Sequence, residues 1–343
     1  MASEKRYLIL AEGHSDDPHH GKTGRGVLRY RRESVVAVLD SKRAGEMLDG
    51  VPIVGSVDDA LDFGPTTALV GVATSGGRFP PAWRELLKSC IGKGLDIENG
   101  LHELISDDPE LADLAARHRV ELRDLRKPPA DLNIPTGRNL ELDAKTVLTV
   151  GSDCAIGKMT VALELDRDAR ARGIASQFVP TGQTGMAIAG WGIAVDAVVS
   201  DFIAGSAERL VVEGAERGGE LLWVEGQGSL LHPAYSGVTL GLMHGSAPHA
   251  YVLCHIAGQE LVDDDPRFPI PQLPELVELH ERMSLLARPA RVAAIALNTR
   301  ALAEHAARAV IEETAASTRL PTQDPVRFGA APLVDAVLEA LEE

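Results

Sequence analysis

The stretch from Lys145 to Arg172 constrains the fold more than any other part of the chain. An apolar strand, Lys145 to Val150, runs into a loop bounded by Gly151 and Gly157. Lys158 follows at once, and then a helical pattern, Met159 to Arg172, with apolar Val161, Leu163 and Leu165. Strand, glycine loop, lysine and helix are the parts of a phosphate cradle. The glycines let backbone N–H groups turn inward, the helix N-terminus adds partial positive charge, and the lysine supplies a full one. Two departures from the usual pattern matter. Ser152, Asp153, Cys154, Ala155 and Ile156 separate the glycines, one residue more than in the standard loop, and Met159 stands where a hydroxyl normally ligates Mg²⁺. Thr160 lies about 100° further round the helix, so it replaces that ligand only in a distorted loop. The stretch therefore points to phosphate binding more firmly than to Mg-dependent hydrolysis.

At 343 residues the chain is long enough for two domains with their own cores. A net charge of −16 weighs against a general binder of nucleic acid or anionic membrane, so an anionic ligand needs a local basic pocket. Cys90, Cys154 and Cys254 form no metal-type spacing and suit a reducing compartment. The apolar run Tyr7 to Ala11 is too short for a signal peptide and no segment is long enough to span a bilayer, so a cytoplasmic protein is expected.

Before the cradle, strand-like runs alternate with helical patterns. Tyr7 to Ala11, Val35 to Leu39, Val51 to Val54, Ala68 to Ala73, Leu95 to Ile97 and Val120 to Leu122 read as strands. A helix started by Pro80 and Pro81 is expected beyond Ser75-Gly-Gly77, and another from Pro109 to Arg119. Such alternation implies a parallel sheet covered by helices. No complete G-x-G-x-x-G follows the first strand, so a dinucleotide site is unsupported. Asp40, at a strand end, could hold a ribose or form a plain turn. Gly21-Lys-Thr23 looks like half a P-loop, but Gly24 and Gly26 argue against a helix after it. His14, Asp16, Asp17, His19 and His20 precede it; without a periodicity that converges them they read as a polar loop, and no metal site is expected. Arg126 and Lys127 end this part at a strand terminus, where α/β folds gather ligands, and they either contact an anionic substrate or are a solvated pair.

The expected organisation is a Rossmann-like parallel-sheet domain over residues 1–127, a proline-rich linker over 128–138 and a P-loop NTPase-like α/β domain over 139–343. In the second domain Ala175 to Val179 reads as a strand running into Pro180-Thr-Gly-Gln-Thr-Gly185, a small polar loop in which Thr181, Gln183 and Thr184 are candidate ligand contacts. Ile193 to Val212 has a helical pattern, with Asp201 a residue that could reach the site and Glu208 placed on the helix surface. Leu221 to Val224 is a buried strand whose tip carries Glu225, a position suited to a metal-holding, water-holding or basic carboxylate. His232, Tyr235, His244 and His249 follow closely and read as an active-site loop.

Taken together, these stretches resemble a family of prokaryotic two-domain P-loop proteins long catalogued as a domain of unknown function. The resemblance is carried by Val72-Ala-Thr-Ser-Gly-Gly77, Gly100-Leu-His102, Asp124-Leu-Arg-Lys-Pro-Pro129, Gly151-Ser-Asp-Cys-Ala-Ile-Gly-Lys-Met-Thr160, Pro180-Thr-Gly-Gln-Thr-Gly185, Val195-Asp-Ala-Val-Val-Ser-Asp-Phe202 and Glu225-Gly-Gln-Gly228. It covers nearly the whole chain. Members include D-glutamate N-acetyltransferases, so the resemblance implies acetyl-CoA as cosubstrate and an acidic amino acid, D-glutamate first, as acceptor. Coenzyme A brings a pyrophosphate and a 3′-phosphate, which a P-loop without the Mg hydroxyl can anchor through residues 151–160. Glu225, His232 or His244 would then be the base and Tyr235 a proton donor. Arg78, Arg126 and Lys127 would pair with substrate carboxylates. The longer loop also resembles that of dethiobiotin-synthetase-like proteins, and the alternative is an Mg-ATP- or GTP-dependent ligase or kinase with Asp153 and Glu225 on the metal. A homo-oligomer is expected.

Overall fold

Parallel strands buried on both faces must read as continuous apolar runs, and the crossovers between them must be helices. The computed structural model, which describes residues 5–17, 20–74, 77–80 and 82–342, has this architecture twice. The chain forms one compact unit from residues 1–128 with 186–194, and another from 129–185 with 195–343.

The first unit contains β1 (Tyr7–Leu10), α1 (Lys22–Tyr30), β2 (Val35–Leu39), β3 (Met47–Leu48), β4 (Val51–Val54), α2 (Val57–Leu61), β5 (Thr67–Val70), α3 (Trp83–Gly92), β6 (Asp96–Asn99), α4 (Pro109–His118) and β7 (Leu122–Asp124). The strand order is β3-β4-β2-β1-β5-β6-β7, parallel except for the β3–β4 hairpin. β1 is fully buried between β2 and β5, with Leu10 opposite both Leu39 and Val70. Chain direction switches sides at β1, which opens a crevice beyond its C-terminal end.

One expectation fails here: residues 22–30 are helical despite Gly24 and Gly26. Gly24 is where α1 touches the sheet, its N–H donating to the Gly71 carbonyl at 2.8 Å. A Cβ there would lie 2.8 Å from Cγ2 of Ile9, so glycine is the condition for this contact and not a helix stop. Asp40 resolves as a turn anchor. Its buried carboxylate accepts from the Gly13, Ser15 and Lys42 amides and from the Ser15 hydroxyl. Although burial opposes ionisation, these bonds together hold its pKa below the usual value. Ser75, Gly76 and Pro81 of the expected glycine turn, and His19, lie outside the described residues.

The second unit contains β8 (Lys145–Gly151), α5 (Lys158–Ala171), β9 (Ser176–Val179), α6 (Gln183–Ala189, its last residues belonging to the first unit), α7 (Ile203–Glu216), β10 (Leu221–Val224), α8 (Ser236–Ser246), β11 (Ala250–Ile256), α9 (Leu273–Arg282), β12 (Arg291–Asn298), α10 (Glu304–Thr318), β13 (Thr322–Gln323), α11 (Pro325–Phe328) and α12 (Ala331–Glu342). The order β13-β12-β11-β8-β10-β9 is all parallel, with β8 central. β8 is the switch point of this sheet, so the cradle opens where an α/β fold gathers ligands.

The helical pattern expected over residues 193–212 is realised only from Ile203 onward; Val195–Ala197 and Ser200–Phe202 are single 3₁₀ turns. The Val195 amide is instead bonded to the Thr181 carbonyl at 2.9 Å, a tertiary contact that overrides local periodicity. Asp201 is exposed. Glu208 is not on the helix surface: it is buried, and its carboxylate accepts the Thr136 and Gly137 amides and the Thr136 hydroxyl, fixing the end of the proline-rich segment to α7.

Candidate functional site

The site is built on the C-terminal ends of β8, β10 and β11 in the second unit. Gly151 ends β8 opposite Cys254 of β11, and the Ser152 amide donates to the Cys254 carbonyl at 3.1 Å. From there the loop turns through Ala155, at φ +54°, and Gly157, at φ +115°, into α5. A left-handed alanine in such a loop is backbone strain held by its surroundings, a feature that collects at ligand sites. No side chain at Gly157 caps the α5 N-terminus, and a Cβ at this glycine would meet nothing within 4 Å. The first turn of α5 is therefore without a side-chain cap at its N-terminus, the kind of helix start that accepts an anion. Ile156 is buried under the loop, while Met159 and Thr160 are half-buried in the first turn of α5.

Lys158 is 6% exposed and lies across the loop, its Nζ donating to the Asp153 carbonyl at 2.6 Å. Burial holds its pKa below the ordinary lysine value, so its ammonium gains from any phosphate brought to it. Asp153 has its carboxylate already taken up by neighbouring donors. Its carboxylate accepts from the Cys154 amide, from Gln259 Nε2 at 2.7 Å and from the Asp263 amide at 2.8 Å, so it straps the loop to the segment after β11. The Asn298 amide group reaches the Ile156 carbonyl from the tip of β12 at 3.4 Å.

Glu225 occupies the tip of β10, 4% exposed. Oε2 accepts the Thr181 and Gly182 amides at 3.0 and 3.1 Å, and Gln227 Nε2 donates to Oε1 at 3.2 Å. Burial dominates these bonds and, with help from Asp196, raises its pKa to about 7. A carboxyl group that exchanges its proton near neutral pH is suited to general acid–base work. Thr181 also closes the pair from its own side, its hydroxyl donating to the Glu225 carbonyl at 2.6 Å. Gln183 and Thr184 begin α6 immediately after.

His232 and Tyr235 stand together, their rings 4.6 Å apart. His232 Nδ1 accepts the Ala234 amide at 3.1 Å, so the proton of the neutral ring sits on Nε2 and the imidazole acts there as a donor. A donor atom of His232 lies within 4.8 Å of those of Asp153 and Cys154, which puts this ring at the cradle. Burial pushes the Cys154 thiol up to about 11, so it is not a nucleophile at neutral pH.

Two of the expected histidines are elsewhere in the second unit. Residues 236–246 form a helix and not a loop, which carries His244 to its last turn, where Nε2 meets the Met283 carbonyl at 3.0 Å. α8 starts beside Tyr235 at the ligand end and descends toward the start of β11, so its length removes His244 from Glu225. His249 lies at the opposite end of the sheet, its Nδ1 accepting the Thr146 amide at the start of β8. In the first unit, Arg126 donates to the Gly100 carbonyl and Lys127 pairs with Asp107 at 2.7 Å, so both are engaged locally, while Arg78 is exposed. His255, at the end of β11, is the residue that sequence reasoning missed. It is buried, its Nδ1 is 2.9 Å from Ser152 Oγ, and burial holds it neutral with a pKa of about 4. Its position at the tip of a buried parallel strand was the available signal.

Comparison with known proteins follows the two units. Residues 39–128 match the N-terminal Rossmann-like domain of DUF1611, a domain of unknown function, and residues 133–334 match its C-terminal P-loop domain. A D-glutamate N-acetyltransferase from Tritonibacter scottomollicae is 36% identical over 97% of this chain and 98% of its own. One from a Pseudoalteromonas species is 34% identical over 81% and 83%. The crystal structure of a DUF1611 protein from Anabaena variabilis superposes with a TM-score of 0.90 at 42% identity, covering 98% of this chain and 99% of that one. Two family domains in the expected order, on relatives matched nearly end to end, mean that this chain belongs to the DUF1611 family.

Proposed function

We propose that this protein is an N-acetyltransferase that moves the acetyl group of acetyl-CoA to the amino group of an acidic amino acid, D-glutamate first. The names of the two relatives support the reaction class, and their coverage of both domains supports carrying it to this chain. The single observation that favours coenzyme A is the uncapped, lysine-closed loop at residues 151–158, in which Met159 replaces the Mg-binding hydroxyl and Asp153 is committed to Gln259 and Asp263. Such a cradle suits a phosphate ester that needs no metal.

In this reading phosphate oxygens of coenzyme A take the loop amides and Lys158. Glu225 removes a proton from the substrate ammonium, and the freed amine attacks the thioester carbonyl. As the C–N bond forms, negative charge develops on the carbonyl oxygen, where the Nε2–H of His232 is the candidate donor. Collapse breaks the C–S bond, and the surplus proton on nitrogen passes to the departing thiolate. The test is release of free coenzyme A thiol from acetyl-CoA in the presence of D-glutamate, L-glutamate or D-aspartate, with the N-acetyl product identified by mass. Turnover with D-glutamate supports the reading. No thiol release with any of the three, together with thermal stabilisation by Mg-ATP and not by acetyl-CoA, overturns it in favour of a nucleotide-dependent enzyme.

A further inference from the structure

A second constellation lies in the first unit, in the turn between β1 and α1. Sequence periodicity gave no reason for its histidines to converge, yet consecutive turns bring them together. The His14 amide donates to the Ala11 carbonyl at 2.7 Å, the Asp17 amide to the His14 carbonyl at 3.1 Å, and the Gly21 amide to the Asp17 carbonyl at 2.9 Å. A Cβ at Gly21 would lie 2.7 Å from both the His14 and Asp17 carbonyl oxygens, so this close approach requires glycine. Beneath it, buried Asp40 grips Gly13 and Ser15, and the Ala73 amide donates to the His20 carbonyl at 2.7 Å, tying the turn to the segment after β5.

This winding points two imidazoles at one carboxylate oxygen. Asp17 Oδ1 accepts the His20 amide at 3.0 Å, while Oδ2 lies 2.7 Å from His20 Nδ1 and 3.7 Å from His14 Nδ1. The two rings are 5.4 Å apart and tilted by 40°. All three donor atoms fall within 4.8 Å of one another. Donors held about 2.0–2.1 Å from one tetrahedral cation stand roughly 3.3 Å apart, which lies between the two separations seen here. A hydrogen bond between Asp17 and His20 would account for one of these distances but not for the approach of the second ring.

We propose that His14, Asp17 and His20 are a binding site for a borderline divalent cation such as Zn²⁺. Two imidazoles and one carboxylate suit first-row transition metals and not the all-oxygen preference of Mg²⁺ or Ca²⁺. Three protein donors leave at least one position open, and the side chains are 34%, 30% and 35% exposed, so that position faces solvent and accepts water or an anionic ligand. The site stands at the C-terminal end of β1, the switch-point strand of its sheet. It is independent of the acetyl-transfer reading.

The test uses the full chain after removal of metals by a chelator. Titration with Co²⁺, read by visible absorption, and with Zn²⁺, read by calorimetry, should show one equivalent bound through nitrogen and oxygen donors. His14→Ala and His20→Ala should each weaken binding by more than the roughly 10–100-fold that loss of an outer-shell partner costs. His232→Ala, which disrupts the other cluster of potential donors, should leave it unchanged. Retention of one equivalent in the His14→Ala/His20→Ala double variant, or its loss in His232→Ala, overturns the assignment. So does a thiolate-to-cobalt charge-transfer band in the wild-type chain, which would report Cys154 as the ligand and needs no variant to fold.

Discussion

Glu225 shows how one residue joins folding to chemistry. Its carboxyl group has a pKa of about 7 in the folded chain against 4.5 when unfolded. The folded state therefore holds the proton more tightly. The stability that this proton contributes is fully present below about pH 4.5 and is lost as pH rises through about 7. If Glu225 is the base, activity must run the other way and rise with pH through about 7, so the ionised form that is catalytically useful is the less stable one. Glu225→Gln, which mimics the protonated carboxyl, should fold at least as well as wild type at pH 8, lose that limb of the pH–rate profile, and slow turnover roughly 10²–10⁴-fold. A variant profile that keeps the limb would assign it to another group. Lys158 makes a complementary prediction. A buried ammonium held by a carbonyl is a cost to the fold that an incoming phosphate offsets. Lys158→Ala should leave the melting temperature unchanged or higher while weakening acetyl-CoA binding by roughly 10–100-fold, the loss expected of one charge-assisted hydrogen bond; calorimetry reads the second and a thermal melt the first. Both residues were legible in the sequence because each directly follows the apolar strand or glycine loop that positions it. His255 was not, since a histidine closing a buried strand looks like core until the neighbouring strand is known to end at Gly151, which brings Ser152 to its ring.

At the scale of elements, the cradle depends on how closely the tips of β8 and β10 approach. Gly226 makes this possible: its amide donates to Thr149 Oγ1 at 2.9 Å, and a Cβ there would overlap the Thr149 carbonyl and lie 3.0 Å from Cδ of Lys158. Gly226→Ala must therefore push the β10 tip away from β8 and displace the lysine together with Glu225. The expected cost is about 1–3 kcal/mol by urea unfolding, as for other overpacked sites, with a parallel loss of acetyl-CoA affinity. An unchanged midpoint would mean that the two strand tips are not in register as described. The same element-level view explains where pattern reading failed. Gly24 looked like a helix stop because propensity ignores what the helix packs on, and at that point α1 must lie against Ile9 and Gly71. Residues 193–202 looked helical from their apolar spacing, but the Val195 amide bonds the Thr181 carbonyl in place of a helical partner. The stretch from His232 to His249 looked like one loop because its histidines dominate the eye, whereas Gly237, Gly241 and Gly245 sit inside a helix that separates them.

For the whole molecule, the chain passes between the two units three times, first between Pro128 and Pro129. After residue 185 it returns to the first unit for residues 186–194 and leaves again at Val195. That excursion is anchored by Arg31, whose Nη1 donates to the Ala187 carbonyl at 3.2 Å, and by Arg123, which donates to the Gly190 carbonyl at 3.3 Å. Nothing in its composition announces this, because the apolar residues Met186, Ile188, Trp191 and Ile193 would serve equally well in the core of either unit. Part of α6 and the segment after it therefore belong in space to residues that precede them by 67 positions at Arg123 and by 156 at Arg31. A fragment cut at the proline-rich segment, residues 129–343, would retain its complete parallel sheet and cradle but leave Trp191, 6% exposed in the full chain, and its apolar neighbours without their packing partners. Such a patch on a monomer drives association. The fragment should keep the far-UV signal of an α/β fold, bind an apolar dye that the full chain does not, and elute as aggregate in gel filtration. Replacing Met186, Ile188 and Trp191 by polar residues in the fragment should restore a monomer. A fragment that is monomeric and dye-silent without those changes would show that residues 186–194 pack equally well on the second unit, and that the three-crossing description of the chain is wrong.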